Sequence, residues 1–355
     1  MKNPSTNNFT DSDALKGQII AKSDFISIFE INGTQPNIEI PTKNGKLYIS
    51  TDSRDFVDYQ NGQQRVLPIR RGHIEYLKDF EDLLLENLPV TKKLVVADIG
   101  CGSGIYGLYF FDLLKESKLN LTFLDPNPRA IKYTQTNILL NSLDPEDFSF
   151  IQDIYKPESF EPESLDLITV NPPYHPRPPA LANQITAHGD GHDEIGFKLF
   201  QDWIKLAQLH LAPDGLIKID MMSPGLLEKP MSLDLLEKSG FEILGISEFY
   251  PAIPFETFLT LIYQPGIDFL KQQSAQNARI LEKEITDWVQ HISKQYKNQF
   301  WHFNVILAKK MSAHQKFYNF KPNTPLDNPI EIERVFEQRL AIHRQIIIEA
   351  ILKSL

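Results

Sequence analysis

A chain of 355 residues is too long for one minimal domain and suits a core of about 200 residues with additions. Its single cysteine, Cys101, excludes an internal disulfide, and no apolar run reaches the roughly 18–20 residues that cross a bilayer. We therefore expect a cytoplasmic protein with no membrane partner. The net charge is −10, although residues 267–355 carry 13 Lys/Arg against 9 Asp/Glu. The acidic core is expected to bind nucleic acid poorly without sequence specificity, because affinity for phosphate comes largely from Lys and Arg. The basic C-terminal part weakens this argument against a nucleic-acid partner but does not remove it.

The N-terminal part is predicted to contain a short polar segment followed by small hairpins. Residues 1–13 are dominated by Asn, Ser, Thr and Asp and lack the apolar segment of a signal peptide, so we expect them to be disordered. Alternating runs at residues 25–29 and 46–50 predict strands within residues 14–75, which we interpret as an accessory, substrate-facing region. Apolar residues at helical spacing predict a helix over residues 71–87.

Residues 76–266 show the pattern of an α/β core. The predicted strands and helices alternate, with strands at residues 94–99, 121–125, 148–151, 165–170 and 216–220, and helices ending near 114 and covering 129–140 and 195–210. A turn at residues 213–215 is predicted before the last of these strands. Near-continuous apolar strands alternating with helices favour a mainly parallel sheet with helices on both faces.

The end of the core is ambiguous in the sequence. The last strand is either the apolar run at residues 258–263 or the one at residues 300–307; the second choice makes residues 267–296 an insertion. We predict that residues 267–355 form a mostly helical extension that includes the last core strand, at 300–309, if the second choice holds. Residues 331–352 form an amphipathic helix whose apolar stripe is expected to pack on its own core, with a dimer contact as the alternative.

A glycine-rich loop and an acidic residue indicate a nucleoside-binding site. Residues 98–104, Asp-Ile-Gly-Cys-Gly-Ser-Gly, lie between the first core strand and its helix, where glycine lets the backbone turn tightly and approach a ligand. Asp125 ends the second strand, 21 residues after Gly104, and can accept hydrogen bonds from ribose hydroxyls. This combination fits any nucleoside cofactor, NAD included.

The Asp-x-Gly-x-Gly-x-Gly pattern resembles the first motif of class I S-adenosylmethionine-dependent methyltransferases, over roughly residues 90–225. The resemblance implies a Rossmann-like α/β fold with a seven-stranded, mostly parallel sheet, and S-adenosylmethionine as the cofactor. It places Asp98 near the cofactor's ammonium group, Asp125 at the ribose, and Asp153 with Ile154 near the adenine. The loop beneath the methionine part comprises Gly100, Cys101, Gly102 and Gly104.

Each of these residues also has a simpler interpretation. Asp98 fits a carboxylate that caps the loop, and Asp125 fits the N-cap of the helix that begins near residue 128. The spacing around Asp153 is loose. Cys101 is expected to be a small residue against the cofactor and not a nucleophile, because no base lies near it in the sequence.

The residues Asn171, Pro172, Pro173 and Tyr174 follow the fourth strand, where ligands bind in parallel sheets. They match a motif of enzymes that methylate planar nitrogens: adenine N6, cytosine N4, guanine N2 and the glutamine side-chain amide. We predict that Asn171, which also borders the cofactor, and the Pro172 carbonyl accept the two N–H bonds of the target. The two prolines stiffen the turn, and Tyr174 offers a flat surface. An ordinary loop turn is the alternative.

Further segments resemble the glutamine methyltransferases that act on peptide release factors. These segments are residues 65–70, residues 189–191 followed by 197–200, and the turn at 211–215. The strand-rich N-terminus, the long C-terminal extension and the proline-rich loop at residues 175–179 depart from that family. Related ribosomal RNA guanine and adenine methyltransferases share the matching elements, so the acceptor stays open.

Two histidines, His175 and His192, lie near the predicted site. Each has two possible roles: contact with the substrate, or a purely structural role in its loop. His188, Asp190 and His192 are an incomplete ligand set, and methyl transfer from S-adenosylmethionine needs no metal, so none is expected. We predict an N-methyltransferase for a macromolecule, either a protein glutamine or a nucleic-acid base. The alternatives are a small-molecule N-methyltransferase, a non-catalytic cofactor-binding module and a nicotinamide-dependent oxidoreductase.

Overall fold

The computed structural model describes residues 34–52, 66, 71–89, 93–182, 184, 190–311 and 321–355. The predictions for residues 1–13 and 25–29, for most of 65–70, and for His188 and Gly189 lie outside these ranges. The chain divides into two compact units: unit 1 takes the described residues of Met1–Asn171 with Leu209–Lys218, and unit 2 takes those of Pro172–Gln208 with Ile219–Leu355. The domain bounds inferred from the sequence remain a proposal.

Unit 1 alternates strands with helices, and its elements in chain order are β1 (Thr34–Thr42), β2 (Gly45–Asp52), α1 (Arg71–Lys78), α2 (Glu81–Asn87), β3 (Leu94–Ile99), α3 (Ile105–Leu113), β4 (Leu119–Leu124), α4 (Pro128–Leu140), β5 (Ser149–Ile151) and β6 (Leu165–Val170). Two further elements, α5 (Lys198–His210) and β7 (Leu211–Leu226), are shared with unit 2. The strand order in unit 1 is β5-β4-β3-β6-β7, and the pairs β3–β4, β3–β6 and β4–β5 are parallel.

The register of these pairs places four strand ends in one row. Ile99 of β3 pairs with Leu124 of β4 and with Val170 of β6, and Leu124 pairs with Ile151 of β5. Because the strands are parallel, the residues that follow these four all leave the sheet at its carboxyl edge. The glycine loop, Asp125, Asn171 and the segment leading to Asp153 therefore begin side by side.

The N-terminal strands form an antiparallel hairpin, β1–β2, that is fixed to α4 by a buried ion pair. Asp52 at the end of β2 is fully buried, and its two carboxylate oxygens accept hydrogen bonds from Arg129 at 2.6 and 2.9 Å. The same carboxylate accepts from the Tyr133 hydroxyl and from the Val66 backbone N–H, both at 2.8 Å. The predicted strand character is thus confirmed for residues 34–52, which form a hairpin within unit 1, and their accessory role stays a prediction.

Two local predictions in unit 1 are wrong. The helix predicted over residues 71–87 is broken into α1 and α2, because Phe80 adopts a left-handed φ of 70° that an α-helix does not tolerate. No turn at residues 213–215 precedes β7, which begins at Leu211 directly after α5. Asp214 takes a φ of 64° within the strand, and a Cβ on Gly215 would lie 2.9 Å from the Leu165 carbonyl oxygen, so the glycine serves close strand contact.

Unit 2 contains the remaining elements: β8 (Lys229–Pro230), α6 (Met231–Lys238), β9 (Phe241–Pro254), α7 (Phe255–Lys271), α8 (Gln276–Gln295), β10 (Phe300–Lys310) and α9 (Pro329–Ser354). Its strand order is β7-β10-β9, β10 is antiparallel to β9, and β8 pairs with β7. Counting β7 once, the two paths contain seven strands. The parallel strand pairs, which alternate with helices along the chain, confirm the α/β fold class with a mostly parallel sheet. Among the described residues, no helix combines the length and the apolar character needed to cross a bilayer.

The ambiguity over the last core strand is resolved in favour of the later run. Residues 300–310 form β10, whereas residues 258–263 lie inside α7. A six-residue apolar run is compatible with either structure, but the buried positions around it, at residues 255, 258, 259, 262, 266 and 270, recur at helical spacing.

The predicted C-terminal amphipathic helix is α9, and its stripe is buried within this single chain. Its buried apolar side chains are Ile332, Phe336, Leu340, Ile346, Ile347 and Ile351, whereas Val335 is 38% exposed. A Cβ on Gly266 of α7 would lie 2.6 Å from Ile351 and 3.2 Å from Ile347. The two helices therefore pack closely through a glycine, and the stripe belongs to the core of unit 2.

Gly266→Val is expected to lower the free energy of unfolding by about 1–3 kcal/mol, because overfilling a packed helix contact forces side chains from their preferred rotamers. Thr260→Val, on the exposed side of the same helix, is the matched control. Urea denaturation followed by circular dichroism measures both variants. Equal midpoints for the two would contradict the close approach of α7 and α9.

Candidate functional site

The glycine loop after β3 has the backbone that its glycines predict. Gly100, Gly102 and Gly104 all lie in the left-handed region, with φ of 67°, 55° and 76°. The N–H groups of Gly100 and Cys101 both donate to the Leu124 carbonyl, at 2.8 and 3.1 Å, so the loop is tied to the end of β4. Residues with a side chain adopt this region rarely, and three such positions in five residues require glycine.

The loop is open on one side and closed on the other. A Cβ on Gly102 would meet nothing within 4 Å, whereas one on Gly104 would lie 2.7 Å from the Thr134 side chain of α4. Thr134 also lies 3.5 Å from the Cys101 sulfur, and burial raises the pKa of that thiol well above its ordinary value. A ligand therefore has room beside Gly102, and Cys101 is a neutral packing residue.

Asp125 holds the loop from the neighbouring strand. One carboxylate oxygen accepts the Gly102 N–H at 2.9 Å and the other accepts the Asn127 N–H at 2.8 Å. The N-cap of α4 is Asn127, whose side chain accepts the Arg129 N–H, so Asp125 is not the cap. Burial raises the pKa of Asp125, and each of its oxygens keeps acceptor capacity for a ligand hydroxyl.

Asp98 joins three elements of unit 1. Its carboxylate accepts the Gly107 N–H of α3 at 2.8 Å and the Thr169 hydroxyl of β6 at 3.0 Å. Only 2% of the residue is exposed, and this burial raises the pKa of Asp98 to about 7. The contacts match the loop-capping interpretation, and the contact with a cofactor ammonium group remains a prediction.

Asp153 and Ile154 lie just beyond β5 at the surface. Asp153 pairs with Lys156, which holds the pKa of that carboxyl below its usual range, and it also accepts the Ile154 N–H at 2.8 Å. Ile154 is 61% exposed, which leaves a large apolar side chain at the same edge of the sheet as the glycine loop. An exposed apolar residue here suits a flat aromatic ligand.

Asn171 follows β6 directly. Val170, the last residue of β6, pairs with Ile99 of β3, which leads into Gly100. The residue is partly exposed. The structure records no hydrogen bond from its side chain to any described residue of unit 1. The end of β6 thus places an amide, with no hydrogen bond to the described part of unit 1, beside the start of the glycine loop.

The rest of the motif belongs to unit 2. Pro172 is buried, while Pro173 and Tyr174 are partly exposed. The Tyr174 ring lies 6.1 Å from the His343 ring of α9. Gly196, with a φ of 70°, packs against the Tyr174 carbonyl so closely that a Cβ would clash. Within unit 2, Gly196 therefore packs against the backbone of the motif, and α9 lies beside its tyrosine ring.

Within unit 2, the loop after the motif folds back on it. The Gly191 N–H donates to the His175 carbonyl at 3.3 Å, and Arg177 pairs with Asp190. His175 is buried, its Nδ1–H donates to the Pro176 carbonyl at 2.7 Å, and burial lowers its pKa to about 4. His175 is thus a neutral loop histidine, whereas His192 is exposed.

Two supporting residues were missed by the sequence reasoning. Thr169 bonds to Asp98, and Thr134 closes the loop at Gly104. Neither threonine stands out in its strand or helix pattern, because hydroxyl groups are common in both. The sequence would identify Thr134 only if the face of α4 that packs against the glycine loop were already known.

Residues 79–220 match the family model of the methyltransferase small domain. Over 137 residues the chain is 32% identical to "Ribosomal RNA large subunit methyltransferase G" of Shewanella denitrificans. The aligned stretch covers 39% of this chain and 31% of that protein. Over 187 residues it is 25% identical to "Release factor glutamine methyltransferase" of Aquifex aeolicus, covering 50% of this chain and 64% of that protein. The chain thus spans about a third of the first relative's length and less than two thirds of the second's.

Proposed function

Because residues 79–220 belong to the methyltransferase small domain, a class I S-adenosylmethionine-dependent methyltransferase module, we propose that the chain is an N-methyltransferase. Its acceptor is a planar amide or amino nitrogen of a macromolecule. The observation that carries the proposal is Asn171. Its amide follows β6, the strand that pairs with β3 ahead of the glycine loop, and the motif that begins with it is stiffened by two prolines.

The residues of unit 1 fit the cofactor by their chemistry. The open side of Gly102 gives room for the methionine part, and Asp125 has acceptor capacity for ribose hydroxyls. The exposed Ile154 offers an apolar surface for the adenine, with Asp153 beside it. When bound, S-adenosylmethionine supplies a methyl group activated by a positively charged sulfur.

The target nitrogen is a poor nucleophile, because its lone pair is delocalised into a ring or a carbonyl. The Asn171 side-chain oxygen and the Pro172 carbonyl accept hydrogen bonds from the two N–H groups of the target nitrogen. These bonds favour a pyramidal nitrogen and expose its lone pair. With the nitrogen held by Asn171 and Pro172, its bond to the methyl carbon would form as the sulfur–methyl bond breaks, and one proton would then be lost to solvent. The carbonyl dipoles stabilise the positive charge that develops on nitrogen.

The acceptor class follows from the relatives and not from the site. One relative is named for ribosomal RNA and another for a protein glutamine, so a protein glutamine and a nucleic-acid base are both proposed. A base inside a duplex would have to be flipped out. A small-molecule acceptor and a non-catalytic module are the alternatives, and the cytoplasmic location also remains a prediction.

The proposal is tested with tritium-labelled S-adenosylmethionine and fractionated extract from cells that lack the protein. Label in protein supports a protein acceptor, which mapping of the label to glutamine-containing peptides then tests, and label in RNA or DNA supports a nucleic-acid acceptor, which mapping to a base tests. Label confined to small molecules would support that alternative, and no label in any fraction would contradict an enzyme. Titration calorimetry with S-adenosylmethionine and NAD is the companion measurement, and preference for NAD would overturn the cofactor assignment.

We expect the affinity for S-adenosylmethionine to rise as the pH passes through about 7, because burial raises the pKa of Asp98 to about that value. Below it the free protein holds a proton on Asp98, and a cationic group beside the carboxyl favours the ionised form, so binding releases the proton. Asp98→Asn should lose this pH dependence. Calorimetry about one unit either side of that pKa tests it, and equal pH dependence in both proteins would exclude Asp98 as its source.

A further inference from the structure

We propose that Asn137 of α4 is a positioning residue for the cofactor loop, with its amide oriented by the N-terminal hairpin. The inference rests on the proposed function, since it concerns how tightly S-adenosylmethionine is bound. It gives the hairpin β1–β2 a role in cofactor binding, although no residue of that hairpin belongs to the glycine loop.

The Asn137 side chain is fully buried and bonded to two distant segments. Its oxygen accepts the Ser50 N–H at 2.8 Å, and its nitrogen donates to the Ser50 carbonyl at 2.9 Å and to the Ser103 carbonyl at 2.8 Å. An amide has one oxygen and two donor hydrogens. Ser50 engages the oxygen and one hydrogen, which fixes the amide plane and directs the second hydrogen at the loop.

The contact falls at the part of the loop that matters for the ligand. Ser103 lies between Gly102 and Gly104, both of which hold left-handed φ values, and Gly102 is the residue whose N–H is bound by Asp125. Thr134, one turn before Asn137 on α4, donates to the Gly102 carbonyl at 3.3 Å. Asn137 and Thr134 therefore hold successive carbonyls of the loop from one helix face.

The chain contains a natural control for this contact. Asn141, four residues further along α4, accepts the Tyr48 N–H and donates to the Tyr48 carbonyl, both at 2.8 Å. Its second hydrogen bonds to the Asn137 carbonyl within the helix and not to the loop. Asn141 thus makes the same two-bond contact with the hairpin, while only Asn137 extends it to the cofactor loop.

The experiment compares Asn137→Ala with Asn141→Ala in the full chain. Both variants should unfold at a lower temperature, because each loses a two-bond contact with the hairpin. Only Asn137→Ala should bind S-adenosylmethionine more weakly, by about five- to tenfold, the loss expected for one hydrogen bond. The KM for S-adenosylmethionine should rise by a similar factor with little change in kcat, since the contact supports binding and not the chemical step.

Asn137→Ser is the second variant, for use if Asn137→Ala does not fold. Its short side chain no longer spans from Ser50 to the Ser103 carbonyl, and its hydroxyl can bond within the helix, so the same loss of affinity is expected. Unchanged affinity in the folded Asn137 variant, or an equal loss in Asn141→Ala, would overturn the positioning role. Failure of the wild-type protein to bind S-adenosylmethionine would instead overturn the proposed function.

Discussion

Asn171→Ala is expected to lower kcat for methyl transfer by about 10²–10³-fold, the usual effect of removing one preorganised group that stabilises developing charge. The affinity for S-adenosylmethionine should stay largely intact, because the glycine loop, Asp125 and Asp98 have their hydrogen bonds within unit 1 without Asn171. Single-turnover transfer of a labelled methyl group measures the rate, and titration calorimetry measures binding.

Two controls sharpen this prediction. Asn120→Ala removes an exposed asparagine from β4 of the same unit and should change neither quantity. Asn171→Asp keeps an acceptor oxygen and should retain more activity than the alanine variant. Activity of Asn171→Ala within a few-fold of wild type would remove Asn171 from the mechanism. A loss of cofactor binding would assign it to the cofactor site alone.

The loop of unit 1 could be predicted from the sequence because its determinants are local. Residues 98–104 need only their own backbone preferences to turn, and all three glycines take the left-handed conformation that glycine permits. The strand before the loop, β3, and its sheet neighbour β4 are short and apolar, so their ends are predictable to within one or two residues. The roles of Asp125 and Asn171 toward a ligand remain predictions.

The errors arise where a local pattern is compatible with more than one structure. Apolar spacing alone does not reveal that Phe80 breaks a helix, because the break depends on a single left-handed residue. The pair Asp214-Gly215 is typical of a turn, yet Gly215 sits inside β7 where it meets the Leu165 carbonyl. In both places the residue type is compatible with two structures, and the neighbouring strands or helices decide.

The hairpin contacts were beyond the sequence for a different reason. Asn137 bonds to a residue 87 positions earlier, and Arg129 pairs with a residue 77 positions earlier. Asparagine and arginine on a helix ordinarily indicate a solvent-exposed face, so nothing local distinguishes them as buried partners. The substrate-facing role of residues 14–75 stays a prediction, and residues 34–52 are in addition tied to α4.

Asp52→Asn is expected to lower the free energy of unfolding by about 3–5 kcal/mol, since it leaves the charge of Arg129 nearly buried without its partner. The side chains of the pair are 0% and 11% exposed. The double variant with Arg129→Met should regain much of the loss, because removing both charges costs less than removing one. Glu39→Gln, which breaks the exposed pair with Lys46 in the same hairpin, is the matched control and should have little effect. Urea denaturation of Asp52→Asn, Arg129→Met, the double variant, Glu39→Gln and wild type measures the coupling. Additive losses in the double variant would mean that the pair does not fix the hairpin to α4.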